Sequence, residues 1–449
     1  MNMDSTGIGT TNRTSYLLDY DAVKTVTKTV ADNDDSFYRM DKLFGARSKN
    51  DGAWHNYRTI STFSSTCNAG MSKLYGYLGL ESSTNAYGCN GLTEVTDMLF
   101  SVKYTISNKL LAESDLRSYY TGSDGEFIYR NNYVLPIGYA INEKSTLHMN
   151  LSSSNNGIEN QNILIQTMTG ISDIFSFVDE FPTQSECTIT PSKNGHLYLT
   201  VENKTIDYIT VSINGSERSF GCSNLKNNNH IIDVGYVNAT DRVDVTADSG
   251  MNLTAYMLDT DKFIEAYNQI NSESYQVDSF TETDFKGTIS LSSDKTVLFS
   301  IPYDGGWSVY VDGKRVDTFM WKDSLLCADI PAGEHTIELK YIPCNLILGC
   351  VLTALSIIIL IGIYISGRLI RKGTIKTDNW PVAVRKYLEL PVTASAADTD
   401  TDADNLLEES IEESILDDMN DFDNLEFSEE DNENDENNNL TDNETKEDL

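Results

Sequence analysis

Residues 346–365 read LILGCVLTALSIIILIGIYI, twenty consecutive positions without a charged side chain. A helix that rises about 1.5 Å per residue crosses a hydrocarbon core of about 30 Å in this length. The buried helix of a soluble core is normally shorter or carries one polar face. The sequence therefore predicts one transmembrane helix, within residues 344–366, and separates a long N-terminal part from a short C-terminal part.

The basic residues around this segment predict its orientation. Six of them follow the segment, whereas the fifteen positions before it contain Lys340 alone. The six are Arg368, Arg371, Lys372, Lys376, Arg385 and Lys386. Because Lys and Arg are enriched on cytoplasmic flanks, we predict a plasma-membrane protein with residues 1–344 extracytoplasmic. Residues 367–397 then form a basic juxtamembrane segment, and the C-terminal tail is cytoplasmic.

The first thirty residues do not read as a secretory leader. They contain neither a basic n-region nor an apolar h-region. We therefore expect upstream transmembrane helices, missing here or encoded separately, to carry residues 1–344 across the membrane.

Acidic residues are concentrated at the C-terminus. The chain has 68 acidic and 33 basic residues and a net charge of −35, and residues 398–449 hold 23 of the acidic residues but a single basic residue, Lys446. This tail has too few apolar side chains to fold alone, so we predict a disordered acidic tail. The remaining chain lacks the basic surface that neutralises phosphates in nucleic-acid-binding proteins, so we expect no nucleic-acid partner.

The spacing of apolar residues predicts the fold class. Spacings of three and four predict an amphipathic helical lead-in (1–33) and helices within an α+β extracytoplasmic domain (34–155). From about residue 160 a period of two predicts a β-sandwich module (156–275) and a second β-rich module (276–343). The expected fold is an α+β outer domain followed by antiparallel, jelly-roll-like β-sandwich modules, one transmembrane helix and a disordered acidic tail.

A weak internal repeat links the two β modules. The stretch LYLTVENKTIDYITVSINGSER resembles the later TVLFSIPYDGGWSVYVDGKRV. Each stretch contains a dipeptide that favours a tight two-residue hairpin turn, Asn214-Gly215 in the first and Asp312-Gly313 in the second. Two tandem sandwiches are one interpretation, and chance similarity between alternating strands is the other.

Common catalytic and metal-binding motifs are absent from the sequence. It contains no HExxH, Walker loop, GxSxG, paired CxxC or Gly-rich dinucleotide turn. The five histidines occur singly, so we predict no metal site and no cofactor. The pairs Cys67/Cys89 and Cys187/Cys222 allow two disulfides outside the cytoplasm, and free thiols are an equal alternative.

Two groups of motifs are more specific. Before the membrane segment the sequence reads IPYDGGW (301–307), VYVDGK (309–314), IPAGEH (330–335) and IELKY (337–341). Nearer the N-terminus it reads FYR (37–39), FSS (63–65) and TDMLFSVKY (96–104). In this order the motifs resemble the bacterial YfhO family, over roughly residues 10–375.

The resemblance implies a function in the cell envelope. YfhO-family members are polytopic membrane proteins whose N-terminal helices resemble those of GT-C glycosyltransferases. They are implicated in transferring sugars from a lipid carrier onto envelope polymers such as lipoteichoic acid. The catalytic acids of that fold belong to an early extracytoplasmic loop among helices that this chain lacks, so no catalytic residue is carried over and enzymatic activity stays open.

Five residues of the matched motifs are candidate substrate-binding residues. They are Tyr303, Asp304, Trp307, Ser64 and Ser65. Aromatic rings can stack on pyranose rings, and the polar groups can bind hydroxyls. The alternative is structural: Asp304-Gly305-Gly306 predicts a turn, after which Trp307 begins a strand with an inward face.

Three functions compete. The leading hypothesis is the non-catalytic extracytoplasmic and membrane-anchoring part of a YfhO-type lipid-linked-sugar glycosyltransferase. Its expected partners are the membrane, upstream polytopic glycosyltransferase helices and an envelope glycan polymer. The alternatives are a stand-alone membrane-anchored glycan-binding or adhesion module and a truncated, inactive reading frame.

Overall fold

The computed structural model describes residues 17, 19–43, 49–141, 149, 151–202, 206, 208–221, 230–376, 380, 381, 384 and 386. The predicted acidic tail and most of the predicted juxtamembrane segment lie outside these residues. The chain divides into two compact units, Met1–Cys350 and Val351–Leu449. The first unit contains the cleft and motifs described below.

The described residues form seven helices and 22 strands. The helices are α1 (Tyr20–Ala31), α2 (Asp51–His55), α3 (Ala69–Tyr77), α4 (Glu94–Leu99), α5 (Gly157–Thr169), α6 (Thr260–Asn271) and α7 (Leu346–Arg371). The strands of the first third are β1 (Arg39–Lys42), β2 (Thr62–Phe63), β3 (Ser82–Ser83), β4 (Ala86–Tyr87), β5 (Val102–Ser107), β6 (Arg117–Ser123), β7 (Glu126–Asn131) and β8 (Gly138–Ile141). The next strands are β9 (Phe175–Ile189), β10 (Gly195–Glu202), β11 (Tyr208–Ile213), β12 (Ser216–Gly221), β13 (His230–Val237) and β14 (Val243–Leu258). The last strands are β15 (Gln276–Phe280), β16 (Asp284–Leu291), β17 (Lys295–Pro302), β18 (Trp307–Val311), β19 (Lys314–Val316), β20 (Thr318–Trp321), β21 (Leu325–Ile330) and β22 (Gly333–Tyr341).

Helix α1 covers a four-stranded sheet of order β1-β5-β7-β6. Its apolar residues recur at spacings of three and four, so Val23, Val26 and Val30 lie on one face and are buried. They pack with sheet residues that include Met40 and Ile128. The amphipathic helix expected in this region is therefore present, and it belongs to the core of the α+β region.

Helices α3 to α6 contribute to the largest hydrophobic cluster of the described chain. Leu74 of α3, Val95 of α4, Leu164 of α5 and Phe263 of α6 all belong to it. Trp321 of β20 also packs there, although it lies more than 150 positions after α5. This core joins segments that are distant in the sequence.

The first β module forms one sheet of order β12-β11-β14-β10-β13, with β9 pairing along β14. The long strand β14 pairs with β11 near its start and with β10 near its end. The β11–β12 hairpin turns at Asn214 and Gly215, whose φ values are 51° and 87°. Positive φ at both central residues is the geometry that Asn-Gly favours, so this turn prediction is confirmed.

The second β module has two sheets, β15-β16-β22-β18-β19 and β20-β21-β17-β8. Its β18–β19 hairpin turns at Asp312 and Gly313, with φ values of 50° and 78°. Strand β8 comes from the first third of the chain and pairs with β17. The predicted fold class, with antiparallel β modules after an α+β region, is confirmed.

Strand pairing repeats between the two modules. In the first, β11 lies between β12 and β14, β14 also pairs with β9, and β10 pairs with β13. In the second, β18 lies between β19 and β22, β22 also pairs with β16, and β17 pairs with β21. Four strand pairs of the first module thus have counterparts in the second, which supports a structural repeat over chance similarity. The β10–β14 pair has none, because β17 and β22 lie in different sheets.

Helix α7 contains the predicted membrane segment. It spans 26 residues, of which an 18-residue stretch has a mean hydropathy of 2.9, and none of its residues is buried by the protein. Among the described residues it is the one helix long and apolar enough to cross a membrane. It continues past residue 366 to include Arg368 and Arg371 in its last turn.

Candidate binding cleft

A cleft of about 1000 Å³ opens within the first unit. One wall comes from the region of β3 and β4, and the other from β12 and β13 of the first β module. Its polar lining residues include Lys49, Glu81, Asn90, Asp97, Arg117, His196, Arg218 and Asp233. This volume lies in the range of cavities that hold small molecules.

Arg117 occupies the centre of a buried charge cluster at this cleft. Its Nη2 atom lies 3.0 Å from Oε1 of Glu94 and 3.7 Å from Oδ2 of Asp97, and its Nη1 atom lies 3.3 Å from Oδ2 of Asp233. Its Nε–H also donates to Asn131 Oδ1 over 3.2 Å. One cation therefore contacts three carboxylates from α4 and β13.

Local structure explains how α4 presents two of these acids. The helix begins with a capping box, in which Thr93 and Thr96 bond each other's backbone amides. Because residues three apart lie on one face of a helix, Glu94 and Asp97 both point toward Arg117. Asp97 is held further by a 3.0 Å hydrogen bond from Asn131 to its Oδ2 atom.

The cluster shifts the pKa values of its members. Burial and the negative charge of Glu94 raise the pKa of Asp97 well above its usual range, against the opposing effect of Arg117. Burial alone would lower the pKa of Arg117, but Glu94, Asp233 and Asp97 outweigh it and raise that pKa. Asp97 is thereby favoured in its neutral form, which leaves two carboxylates facing one guanidinium.

His196 lies beside the cluster and is 2% exposed. Ser114 Oγ accepts hydrogen bonds from the amides of Leu116 and Arg117, so its hydroxyl proton is available for His196 Nε2 at 2.9 Å. Burial lowers the pKa of His196. The neutral ring then carries its proton on Nδ1, a tautomer assigned from this hydrogen-bond network.

Ser114, His196 and Glu94 are the residue types of a hydrolytic triad, but their geometry does not support nucleophilic chemistry. His196 Nδ1 lies 3.9 Å from Glu94 Oε1, too far for a hydrogen bond. Ser114 Oγ already accepts two amides, so it is a poor nucleophile. We assign Ser114 a positioning role for the His196 ring.

Two buried polar atoms of the cleft lining have no hydrogen-bond partner among the described residues. They are Asp97 Oδ1 and His196 Nδ1. Native proteins pair most such groups, because leaving one unpaired costs about 1–3 kcal/mol. A polar ligand that forms hydrogen bonds with these two atoms therefore gains more binding free energy there than elsewhere in the cleft.

The opposite wall combines charge and aromatic surface. Lys49 forms an ion pair with Glu81, and Asn90 donates a hydrogen bond to the same carboxylate. Phe63 is 51% exposed and borders the cleft. On the other side Tyr236 lies edge-on to His196, with ring centroids 5.7 Å apart.

The structure places Tyr303, Asp304 and Trp307 away from this cleft. Tyr303 and Asp304 lie in the turn between β17 and β18, and Trp307 is the first residue of β18. Asp304 accepts a 2.7 Å hydrogen bond from the amide of Gly306 and is exposed. Tyr303 and Trp307 are half-buried and pack against the core of the second β module. These three candidate residues are close together, within five positions of the chain.

Ser64 and Ser65 lie in the turn after β2. The Ser64 hydroxyl lies 3.1 Å from that of Thr66, and Ser65 is exposed. This turn approaches the other three residues through Asn68, whose side chain donates to the carbonyl of Tyr303 over 3.2 Å. Neither serine is among the described residues that line the cleft.

Sequence reasoning missed the charge cluster. Glu94 and Asp97 are charged positions on a short helix that otherwise contains Val95, Met98 and Leu99, and this pattern was the one available signal.

Cys67, Cys89 and Cys187 are free thiols, so the suggested Cys67–Cys89 disulfide does not form in this structure. Cys222 lies outside the described residues. The described part of the chain contains no group of three potential metal ligands.

Comparisons with solved structures give weak likenesses only. A conserved protein of unknown function from Pseudomonas aeruginosa is 9% identical, with a TM-score of 0.15, over 36% of this chain and 71% of its own. A cupin 2 conserved barrel domain protein from Leptotrichia buccalis is 13% identical, with a TM-score of 0.13, over 36% of this chain and 80% of its own. The arabinofuranosyltransferase AftD from mycobacteria is 10% identical, with a TM-score of 0.15, over 35% of this chain and 12% of its own. TM-scores this low establish no shared fold.

Sequence comparison is more informative at the family level. No curated protein matches the chain significantly. The family model described as bacterial membrane protein YfhO matches residues 1–353, which is more than half of the chain. The chain therefore belongs to the family of the bacterial membrane protein YfhO.

Proposed function

We propose that this chain is the extracytoplasmic and membrane-anchoring part of a YfhO-type lipid-linked-sugar glycosyltransferase that acts on cell-envelope polymers such as lipoteichoic acid. Family membership and the single apolar helix α7 support the membrane setting. The chain's role is non-catalytic binding of the sugar residues on the envelope glycan polymer, and polytopic helices supplied upstream provide catalysis. Residues 1–344 face the extracytoplasmic side in this proposal.

The cleft carries the binding part of the proposal. Saccharides are recognised by polar groups that bind hydroxyls and by aromatic faces that stack on the apolar side of the ring. The lining offers both, with Asp97, Asp233 and His196 on one side and Phe63 on the other. A sugar hydroxyl that reached Asp97 or His196 would satisfy an atom that otherwise lacks a partner.

Charge balance favours an uncharged sugar over the phosphodiester backbone of a polymer. Arg117 and Arg218 face the acidic side chains of Glu94, Asp97 and Asp233, which offset their positive charge. Lys49 is paired with Glu81. The cleft therefore lacks the surplus of cationic groups that phosphate recognition uses.

The test compares two matched phenylalanine variants of the full chain in lipid nanodiscs. Phe63→Ala removes an exposed ring at the cleft, whereas Phe177→Ala removes one that is 62% exposed and does not line it. We expect Phe63→Ala to weaken binding of purified, glycosylated lipoteichoic acid by about tenfold, which corresponds to about 1.4 kcal/mol. Phe177→Ala should leave the affinity unchanged.

Three results would count against the proposal. They are the absence of polymer binding by the native chain, equal losses in both variants, and equal binding of the unglycosylated polymer. A thermal melt of each variant separates loss of binding from loss of folding.

The candidate role of Tyr303, Asp304, Trp307, Ser64 and Ser65 in saccharide binding stays a prediction. Their position outside the cleft would make them a second contact area for an extended polymer. The same polymer-binding assay with Asp304→Asn tests this role, since Asp304 is exposed and contributes little to the core.

A further inference from the structure

The turn Asp304–Gly306 lies against the segment that enters the membrane helix. The amide of Ile342 donates a 3.0 Å hydrogen bond to the carbonyl of Gly306. A Cβ atom on Gly305 would lie 3.0 Å from Sγ of Cys344. Cys344 precedes Leu346, the first residue of α7, by two positions, which is a chain length of about 8 Å.

Two amphipathic rings stand beside this turn. Trp307 of β18 pairs with Tyr341 of β22 in the sheet, and their ring centroids lie 5.0 Å apart. Both side chains are half-buried. Ile342 and Leu346, which follow in the chain, are 53% and 51% exposed, so apolar surface continues from the turn into α7.

We propose that the Trp307–Tyr341 pair and the adjacent Asp304–Gly306 turn rest in the headgroup region of the bilayer that α7 spans. Trp and Tyr are enriched at this depth, because their rings are apolar and their N–H or O–H groups still reach polar partners. Five residue steps separate Tyr341 from Leu346, so chain length alone limits the distance from Tyr341 to the start of α7 to about 17 Å. In this proposal the surface formed by Trp307, Tyr341 and the turn holds the second β module against the membrane. It is separate from the cleft.

The occupant of this surface is lipid, because the surface is continuous with the chain's own membrane helix. A saccharide stacked on Trp307 would require the same ring face to remain in water. The interface role and the sugar-stacking role therefore predict opposite surroundings for one side chain. Fluorescence of that side chain distinguishes them.

The experiment uses quenching of tryptophan emission by brominated lipid. The full chain is reconstituted in phosphatidylcholine vesicles with or without bromine near the upper end of the acyl chains. One variant keeps Trp307 and replaces the other three tryptophans by Phe, and a matched variant keeps Trp54 alone, which is 39% exposed on α2. A tryptophan-free chain with Leu348→Trp, in the first turn of α7, is the positive control for quenching near the depth of the bromine atoms.

Emission of Trp307 should fall in brominated vesicles, and that of Trp54 should be unaffected. If Trp307 emission is the same in both vesicles, the proposal is overturned. Quenching of Trp307 that glycosylated polymer removes would also overturn it, in favour of saccharide binding. Because Trp321 is buried, its replacement can impair folding, so a second pair of variants keeps it: Trp380→Phe alone, and Trp380→Phe combined with Trp307→Phe. The second of these should lose the lipid-quenched fraction of the emission that the first retains.

Discussion

The backbone amide of Ile342 donates a hydrogen bond to the carbonyl of Gly306, so the YDGGW turn closes onto the strand end that leads into the membrane. This contact explains why position 306 is a glycine. A Cβ atom at Gly306 would lie 2.4 Å from the carbonyl oxygen of Ile342, whereas one at Gly305 would meet only the movable Cys344 side chain, at 3.0 Å.

We expect Gly306→Ala to destabilise the protein by about 1–3 kcal/mol, because the backbone at Ile342 must shift. Gly305→Ala is the matched control and should have a much smaller effect. Thermal unfolding of both variants in detergent checks the difference. Equal melting temperatures for the two variants would show that the close approach is not a constraint.

Trp307→Ala tests the structural role of that ring. Trp307 contacts Tyr341 and Phe285, with ring centroids 5.0 and 6.4 Å apart, and packs on the core of the second β module. Because the side chain is half-buried, we expect the free energy of unfolding to fall by about 3 kcal/mol, which is the low end for truncating a buried Trp. Denaturant unfolding measures it, and a change of less than about 0.5 kcal/mol would identify the ring as surface.

Replacing Arg117 by Ala should be severely destabilising. The change leaves the buried Glu94 and Asp97 and the half-buried Asp233 without their cation, and breaking a buried ion pair in this way typically costs about 3–5 kcal/mol. Arg242→Ala is the control, because the Arg242–Asp244 pair is exposed to solvent and its removal should not change stability measurably. Chemical denaturation of the full chain in detergent provides the comparison, and similar effects for both arginines would contradict the assigned role of Arg117.

Acid should weaken the contact between the segment after α1 and β5. Burial opposes ionisation of Asp34, but hydrogen bonds from Lys103, Ser36 and Tyr104 outweigh it and lower the pKa of Asp34 from 3.8 to about 2. A lowered carboxyl pKa stabilises the folded state above the unfolded pKa, and this stabilisation disappears as the pH falls from about 4 to about 2. Because Asp34 is partly screened by solvent, the loss should be on the order of 1–2 kcal/mol.

Asp34→Asn should remove this part of the acid dependence and lower stability at neutral pH. Denaturant titrations of the native chain and the variant between pH 2 and pH 7 test the sign. An unchanged pH profile in the variant would refute the contribution of Asp34.

The proposed orientation is tested by labelling. Ser293 is exposed in the turn between β16 and β17, and Ser428 lies in the acidic tail. A cysteine introduced at Ser293 should react with an impermeant maleimide in intact cells, beyond the reaction of the parent chain. One introduced at Ser428 should react only after lysis, and the reverse result would invert the assigned topology.

The sequence alone determined the structural elements that depend only on residues close together in the chain. The twenty uncharged residues from 346 to 365 specify a membrane helix, because length and hydropathy alone meet the requirement of the bilayer. Asn214-Gly215 and Asp312-Gly313 specify their hairpins, because these dipeptides tolerate positive φ. Val23, Val26 and Val30 specify the buried face of α1 through their spacing alone.

Tertiary structure alone decided the cleft and the surroundings of the motif residues. Glu94, Arg117, His196 and Asp233 come from four separate elements, so no local spacing could show that they meet around one guanidinium. The pairing of β8 with β17 likewise joins positions more than 150 residues apart. The sequence pattern shows which side of an element is buried, but long-range packing selects the partner. That selection assembled the charge cluster and placed the YDGGW turn against Ile342 and Cys344.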